Sequence, residues 1–240
     1  MKPKSASRSA FFNPLALIGI VLLLIPQAGS AQTQNPAAAD YDAVRDFSIV
    51  SNPNGVWSYG WLSALGSPLN LYAVTDTTTF AGLSAWLESG MMYAPPLVGH
   101  NDTQSVICFL SFCVPPSYLQ LHPGPNKEVS VVRWTAPTSG NFFLQGAVVG
   151  LDHYSTTNLY LVLNSNNNLF SATINGYKSP LFFHHVLTMS AGDTLDFAVE
   201  VGQDGTYFND STGIQFKVTQ VQLAPPYADP AGVISAGSGR

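Results

Sequence analysis

Apolar and polar residues alternate along most of the chain with a period of two rather than 3.6. The stretch 194–201 carries its large apolar residues at odd positions, and the stretch 214–218 carries them at even positions. Because successive side chains of a strand point to opposite faces, this alternation predicts strands with one face in a core. After position 218 the apolar residues shift to Val221 and Leu223, which predicts a bulge or bend near Gln220.

Further short apolar runs, separated by Gly, Asn, Asp and Pro, predict the remaining strands. They occupy residues 47–50, 56–62, 69–75, 129–136, 142–149, 159–163, 169–174 and 181–189. About ten strands need two packed sheets, so the predicted fold is all-β: a two-sheet antiparallel β-sandwich, jelly-roll-like. Residues 79–89 suggest one short helix, and the proline-rich stretch 90–125 is predicted to be a long loop.

The N-terminus has the three-part composition of a secretory signal peptide. Lys2, Lys4 and Arg8 precede an apolar run over residues 15–25, and small residues follow as far as Ala31. The run is shorter than the roughly 20 residues that span a bilayer, so we expect cleavage after Ala31, with a retained membrane anchor as the alternative. The predicted organisation is a signal peptide at 1–31, a flexible linker at 32–40, the β-sandwich at 41–223 and a flexible C-terminal tail at 224–240.

A secreted or periplasmic location changes the interpretation of the two cysteines. Cys108 and Cys113 would lie in an oxidising space, and no histidine lies between them to complete a metal site. The spacing therefore favours a disulfide that closes a tight loop, with two free buried thiols as the alternative. We expect no membrane span in the mature chain.

The composition excludes several classes of partner. Only 10% of the residues are charged, and the formal charge is −5. Removal of residues 1–31 removes three basic residues and no acidic residue, so the formal charge falls to −8. A nucleic-acid-binding surface needs clustered basic residues, and this chain lacks the charge for one. Polyanionic glycans are disfavoured for the same reason, and neutral polysaccharide or cell-surface glycan remains.

No catalytic motif is present in the sequence. It has no G-x-S-x-G, no H-E-x-x-H, no phosphate-binding loop and no zinc-type Cys/His spacing. His184 and His185 are adjacent on a predicted strand, so they should point to opposite faces and not ligate one metal together. A glycoside hydrolase would need two facing carboxylates, and the sequence identifies no such pair. We therefore assign no catalytic residue and expect a protein that is not an enzyme.

Sugar binding agrees with the composition, because aromatic platforms and amide hydrogen bonds hold sugars without ionic groups. Trp57 and Tyr59 share a strand face, although a place in the core is the alternative for both. Loop amides and imidazoles supply the polar groups. The candidate ligand-binding residues are Asn54, Trp57, Tyr59, His100, Asn101 and His122.

A structural calcium ion is a further possibility, although no metal ligand is assigned. Calcium prefers oxygen ligands, and secreted β-sandwiches use them to tie their first and last strands together. Asp46 lies in the first predicted strand, and Asp210 precedes the last. Asp204 lies in the same acidic loop as Asp210.

Several stretches together resemble a set of uncharacterised bacterial secreted proteins that are similar to jelly-roll carbohydrate-binding modules. The stretches are 46–48, 52–60, 122–124, 132–137 and 191–197. The resemblance covers roughly residues 41–223 and implies a sandwich fold with sugar binding, without any catalytic residues. Members of that set often end in a sorting segment, and this chain lacks the apolar helix and basic end expected of it, which favours release or periplasmic retention.

From sequence we therefore expect a secreted, non-catalytic binding module for neutral extracellular glycan. A structural or adhesive matrix or cell-surface protein is the first alternative. A glycoside hydrolase-like enzyme is the second.

Overall fold

The structure, a computed structural model, describes residues 39–177 and 180–222. The predicted signal peptide, linker residues 32–38 and the predicted tail lie outside the described residues. The described part contains strands, turns and bends but no helix, so the fold is all-β. Its sixteen strands are β1 (Asp40–Asp42), β2 (Trp57–Leu62), β3 (Asn70–Leu71), β4 (Val74–Asp76), β5 (Leu83–Leu87), β6 (Leu97–Asn101), β7 (Ile107–Phe109), β8 (Phe112–Val114), β9 (Leu119–His122), β10 (Val129–Thr135), β11 (Gly140–Gly150), β12 (Thr156–Leu163), β13 (Asn167–Asn175), β14 (Leu181–Met189), β15 (Thr194–Val201) and β16 (Thr212–Val221).

Two antiparallel sheets face each other across one core. The eight-stranded sheet has the order β14-β11-β16-β9-β6-β5-β4, with β1 paired to β16, and the six-stranded sheet has the order β13-β12-β15-β10-β2-β3. From β10 onward the chain passes repeatedly from one sheet to the other, as in jelly-roll sandwiches. The predicted antiparallel two-sheet sandwich is confirmed, with sixteen strands in the described residues instead of about ten.

Large aromatic side chains fill the space between the two sheets. Trp57 and Trp134 of the six-stranded sheet pack against Phe216 and Phe142 of the eight-stranded sheet, with ring centroids 5.2 and 5.1 Å apart. Phe197 stacks on Phe216 at 3.7 Å. Fully burying such a side chain contributes about 1.5–3 kcal/mol, so these residues fix which face of each strand points inward. The alternate residues of β11, β14 and β16 consequently point outward.

A second apolar cluster covers one half of the outer face of the eight-stranded sheet. Buried residues of β5 and β6 pack there against Phe80, Met92 and Val114, and the hairpin of β7 and β8 adds Phe109 and Phe112. A disulfide joins Cys108 to Cys113 across this hairpin, as the sequence predicts. We call this region, around β4, β5 and β6, the covered half of the sheet.

Three predictions between residues 47 and 125, one of a strand, one of a helix and one of a loop, are wrong. Residues 47–50 form no strand, because Phe47 packs on Tyr59 and His100 instead of pairing with a neighbouring strand. The predicted helix at 79–89 is replaced by β5, which follows Gly82 in the left-handed region at φ +84°. The predicted loop at 90–125 contains four strands, β6 to β9.

The bulge predicted near Gln220 is also absent from the pairing of β16 with β11. The register stays constant from Gly150 opposite Thr212 to Asn141 opposite Val221. Val221 therefore lies on the outer face, where it is partly exposed, and no shift into the core is needed.

Candidate functional site

A groove of about 1010 Å³ lies over the other half of the outer face, on β11, β14 and β16. Its volume is at the upper end of the range of about 300–1,000 Å³ for small-molecule sites. Side chains of the three strands that line it are Phe143, Gln145, Phe182, His184, Gln215 and Lys217. Side chains of β1 and of the neighbouring loops that line it include Asp42, Arg45, Asp102, Gln104 and Ser117.

Strand register brings the floor of the groove together. Gln145 of β11 lies opposite His184 of β14 on one side and opposite Lys217 of β16 on the other. One pair further along, Ala147 lies opposite Phe182 and Gln215. Directly opposed residues share a face, so the floor combines aromatic, amide and imidazole groups in neighbouring rows.

Phe182 is the most exposed aromatic side chain of the groove, with 76% of its surface accessible. Its neighbour Phe183 points to the opposite face, is only 6% exposed and packs 5.4 Å from Phe197. Gly146 makes room for that ring, because a Cβ at this position would lie 2.4 Å from Phe183 Cζ. Because Phe183 points into the core and adjacent residues of a strand point to opposite faces, Phe182 points to the outer face of the sheet.

The basic side chains around the groove are paired with carboxylates, whereas the partner of the groove carboxylate Asp102 is the imidazole of His100. Lys217 Nζ lies 2.9 Å from Asp42 Oδ2, and this hydrogen bond raises the pKa of Lys217. Arg45 contacts Asp40 at 3.0 Å and Asp46 at 2.8 Å. A ligand in the groove therefore meets Lys217 and Arg45 with their positive charges already paired.

Two of the predicted ligand-binding residues, His100 and Asn101, line the groove. His100 Nδ1 lies 2.7 Å from Asp102 Oδ1, and its ring stacks on Phe47 at 5.2 Å. Asn101 is 1% exposed, and its amide donates to the carbonyls of Ser105 and Val114. Asn101 therefore holds the loop after β6 in place, and its side chain is already occupied.

The structure does not place the predicted aromatic pair where a ligand reaches it. Trp57 is 2% exposed and Tyr59 is 0% exposed, and both belong to the core between the sheets. The sequence correctly puts them on one strand face, but that face is the inner one. Their role is packing, which corrects the expectation of an aromatic ligand platform at this strand.

Asn54 and His122 are not among the residues that line the groove. The Asn54 amide donates to the Asp46 carbonyl at 2.9 Å, which fastens the turn before β2. His122 Nδ1 lies 2.8 Å from the Pro123 carbonyl, and burial lowers the pKa of its imidazole. The six predicted residues therefore do not converge on one site.

Sequence reasoning missed the floor of the groove. Its strands were predicted, and His184 and His185 do point to opposite faces of β14, but no residue of β11, β14 or β16 was proposed as a ligand contact. One signal was available in the adjacent residues Phe182 and Phe183. Because neighbours on a strand face opposite ways, one of two consecutive phenylalanines has to lie outside a one-sided core.

Of the acidic residues considered for calcium, Asp46 is engaged elsewhere, whereas Asp204 and Asp210 lie near each other. The carboxylate of Asp46 accepts hydrogen bonds from Arg45, from the backbone N–H of Asp42 and from the Trp57 indole. Asp210 is fully buried in the loop before β16. Within residues 39–177 and 180–222, no group of three or more His, Cys, Asp or Glu side chains has the arrangement of a metal site.

In the part of the chain that the structure describes, no helix is long and apolar enough to cross a membrane.

The sequence matches no known family profile and no curated protein. Among solved structures, the chain is similar to CBM51 from Clostridium perfringens GH95 in complex with methyl-galactose: 12% identity, 68% of this chain, 100% of that chain and a TM-score of 0.35. It is also similar to a family 35 carbohydrate-binding module from Clostridium thermocellum: 16% identity, 48% of this chain, 87% of that chain and a TM-score of 0.29. Rabbit GITRL matches as well, with 15% identity, 40% of this chain, 74% of that chain and a TM-score of 0.26. These structural similarities are weak and involve very different proteins, so we infer nothing about the ligand from them.

Proposed function

We propose that the protein is a secreted, non-catalytic binding module for a neutral extracellular glycan, which it holds in the groove on β11, β14 and β16. The observation that carries the proposal is the combination of an exposed aromatic face with amide and imidazole groups in a groove whose basic side chains are paired with carboxylates.

Each part of the groove matches a feature of a sugar ring. The apolar C–H face of a pyranose stacks on an aromatic ring, and Phe182 presents such a ring to solvent. The amides of Gln145 and Gln215 both donate and accept hydrogen bonds, as hydroxyl groups require. They lie in adjacent rows of the floor, so one bound sugar can contact the ring and both amides.

The paired charges support a neutral ligand. An anionic polysaccharide would have to compete with Asp42 for Lys217, and with Asp40 and Asp46 for Arg45. Binding of a neutral glycan should depend little on salt, because no ion pair forms with the ligand. A change of less than about twofold in Kd over a tenfold change in salt concentration is expected.

Two further observations support the non-catalytic and secreted parts of the proposal. The groove carboxylates are already engaged, since Asp42 binds Lys217 and accepts from the backbone N–H of Val44, while Asp102 accepts from Ser84 and contacts His100. The Cys108–Cys113 disulfide suits an oxidising compartment.

The test is binding of the purified mature protein to a panel of soluble neutral polysaccharides, measured by affinity electrophoresis and titration calorimetry. Phe182→Ala should weaken binding about tenfold, since stacking and the apolar area buried against the sugar together contribute about 1.5 kcal/mol. Gln145→Ala should weaken it several-fold through lost hydrogen bonds.

Phe208→Ala is the matched control, because Phe208 is 63% exposed but does not line the groove. Its glycan affinity should equal that of the unmodified protein. If no neutral glycan binds, or if Phe182→Ala and Phe208→Ala behave alike, the groove is not a glycan site.

One observation favours a second candidate, a self-associating structural or adhesive protein. β14 is an edge strand of the eight-stranded sheet, and its Phe182 and Val186 are 76% and 53% exposed. An exposed apolar edge can pair with another chain. Concentration-dependent oligomers in size-exclusion chromatography, unaffected by glycan and lost in Val186→Lys, would favour this function over glycan binding.

A further inference from the structure

Two buried oxygen atoms without a hydrogen-bond partner belong to neighbouring residues at the loop before β16. They are Asp210 Oδ2 and Thr156 Oγ1. Asp210 is 0% exposed. Buried polar atoms in proteins nearly always have partners, so unpartnered oxygens in one place indicate a bound group that satisfies them.

Backbone contacts hold these oxygens near one another. The N–H of Thr156 donates to Asp210 Oδ1 at 2.9 Å, which joins the start of β12 to the loop before β16. The Thr156 hydroxyl lies near the carboxyl groups of both Asp204 and Asp210, but it does not reach hydrogen-bond geometry with either. Two carboxylates therefore flank one hydroxyl.

The electrostatics of this loop are unbalanced. The carboxyl group of Asp210 is fully buried and lies near the negative charges of Asp204 and Asp152. Within the described ranges of the chain, no lysine or arginine forms an ion pair with Asp210, Asp204 or Asp152. Asp152 is itself satisfied, because it accepts hydrogen bonds from Tyr154 N–H and from Ser111 Oγ. A buried carboxylate beside two like charges is costly unless a cation or a proton neutralises it.

We propose that this loop binds a calcium ion through the carboxylates of Asp204 and Asp210 and the hydroxyl of Thr156. Calcium takes six to eight oxygen ligands, including neutral ones, and tolerates irregular geometry, so water and nearby carbonyls can complete its shell. The donor atoms are all oxygens, which disfavours zinc. The ion would join the start of β12 to the loop before β16, and Asp46 would take no part.

The test is thermal unfolding of the mature protein in EDTA and in calcium chloride, together with calorimetric titration of calcium. In the unmodified protein, calcium at about a hundred times its Kd should raise Tm by roughly 5–10 °C, with one ion bound per chain. Asp210→Asn and Asp204→Asn should each reduce the calcium-dependent shift to near zero. Asp40→Asn is the charge-matched control at the other end of β16, where Asp40 lies opposite Thr219, and it should keep the full shift.

Unfolding in EDTA distinguishes calcium binding from the alternative that a proton neutralises the carboxyl group of Asp210. In EDTA, Asp210→Asn should unfold at the same temperature as the unmodified protein or higher, because the amide removes a buried charge. An absent calcium shift in the unmodified protein overturns the proposal. So does an equal shift in Asp210→Asn, since calcium would then bind elsewhere.

Discussion

The outer face of the eight-stranded sheet has two halves that differ in what covers them. Over β5 and β6, the apolar side chains are sealed beneath Phe80, Met92 and the disulfide-bonded hairpin. Over β11, β14 and β16, Phe182 is 76% exposed and a groove remains open. β11 belongs to both halves, because Val149 packs against the covered cluster while Phe143 and Gln145 line the groove.

This comparison separates apolar residues that stabilise the fold from those that remain available to a ligand. The residues that cover the half around β5 and β6 come mostly from the segment 76–118. Among the described residues, no comparable segment covers the half formed by β11, β14 and β16. An uncovered apolar area on a sheet face forgoes hydrophobic stabilisation. The side chains of the open half are therefore the ones that folding alone explains least.

The largest effect should come from breaking the covered half. Phe80 is 7% exposed, and its ring lies 4.4 Å from Phe109 and 5.5 Å from Phe112. Phe80→Ala should lower the free energy of unfolding by about 3–5 kcal/mol, because it leaves a cavity beneath the hairpin. Urea unfolding followed by tryptophan fluorescence measures this. A loss below about 1 kcal/mol would mean that the hairpin does not seal the cluster.

A smaller effect should come from Asp76, which is 6% exposed at the turn that leads into the covered half. Burial acts to raise the pKa of Asp76, but hydrogen bonds from Thr79 and from the backbone N–H groups of Thr78 and Met92 outweigh it and hold the pKa well below its ordinary value. Asp76→Asn should cost about 1.5–3 kcal/mol at pH 7, because these bonds then go to a neutral acceptor.

The pH dependence of that variant has a definite sign. A carboxyl group with a depressed folded pKa contributes stability that is fully present above its unfolded value of about 3.9 and is lost as the pH falls towards the folded value. Unfolding between pH 7 and pH 2 should therefore show a smaller acid-induced loss in Asp76→Asn than in the unmodified protein. Equal losses would show that Asp76 does not contribute to acid sensitivity.

The smallest effect on stability should come from the open half. Phe182→Ala removes a side chain that is mostly in water, so the free energy of unfolding should change by no more than about 0.5 kcal/mol. The same urea titration used for Phe80→Ala gives the comparison directly. A loss of 2 kcal/mol or more would place Phe182 among the residues that stabilise the fold and weaken its role as a ligand contact.

The sequence predicted the second half of the fold better than the first. Strands β10 to β16 were found, and their inner faces alternate with partly exposed outer faces in β12 and β16. β5 was mistaken for a helix because all of its residues are buried, so its sequence does not alternate. β6 is buried in the same way at four of its five residues. A strand covered on both faces looks like any short apolar run.

The candidate site was harder to predict than the fold. Alternation correctly grouped Trp57 with Tyr59, but it does not say which face of a strand is the inner one, and both rings are in the core. The groove is open because no described segment distant in sequence packs over the outer face of β14. The local sequence pattern therefore predicts which residues share the groove floor, but it does not predict that they are exposed.

The side chains of the groove floor contribute little to the stability of the core, and this has an evolutionary consequence. Phe182, Gln145 and Gln215 stand on β14, β11 and β16, and each of these strands places buried residues of its opposite face in the core. The backbone beneath the three side chains is therefore held by other residues. Substitutions at these positions should cost little folding free energy and alter mainly what is recognised. Such a surface can drift from one ligand to another by single mutations while the scaffold persists.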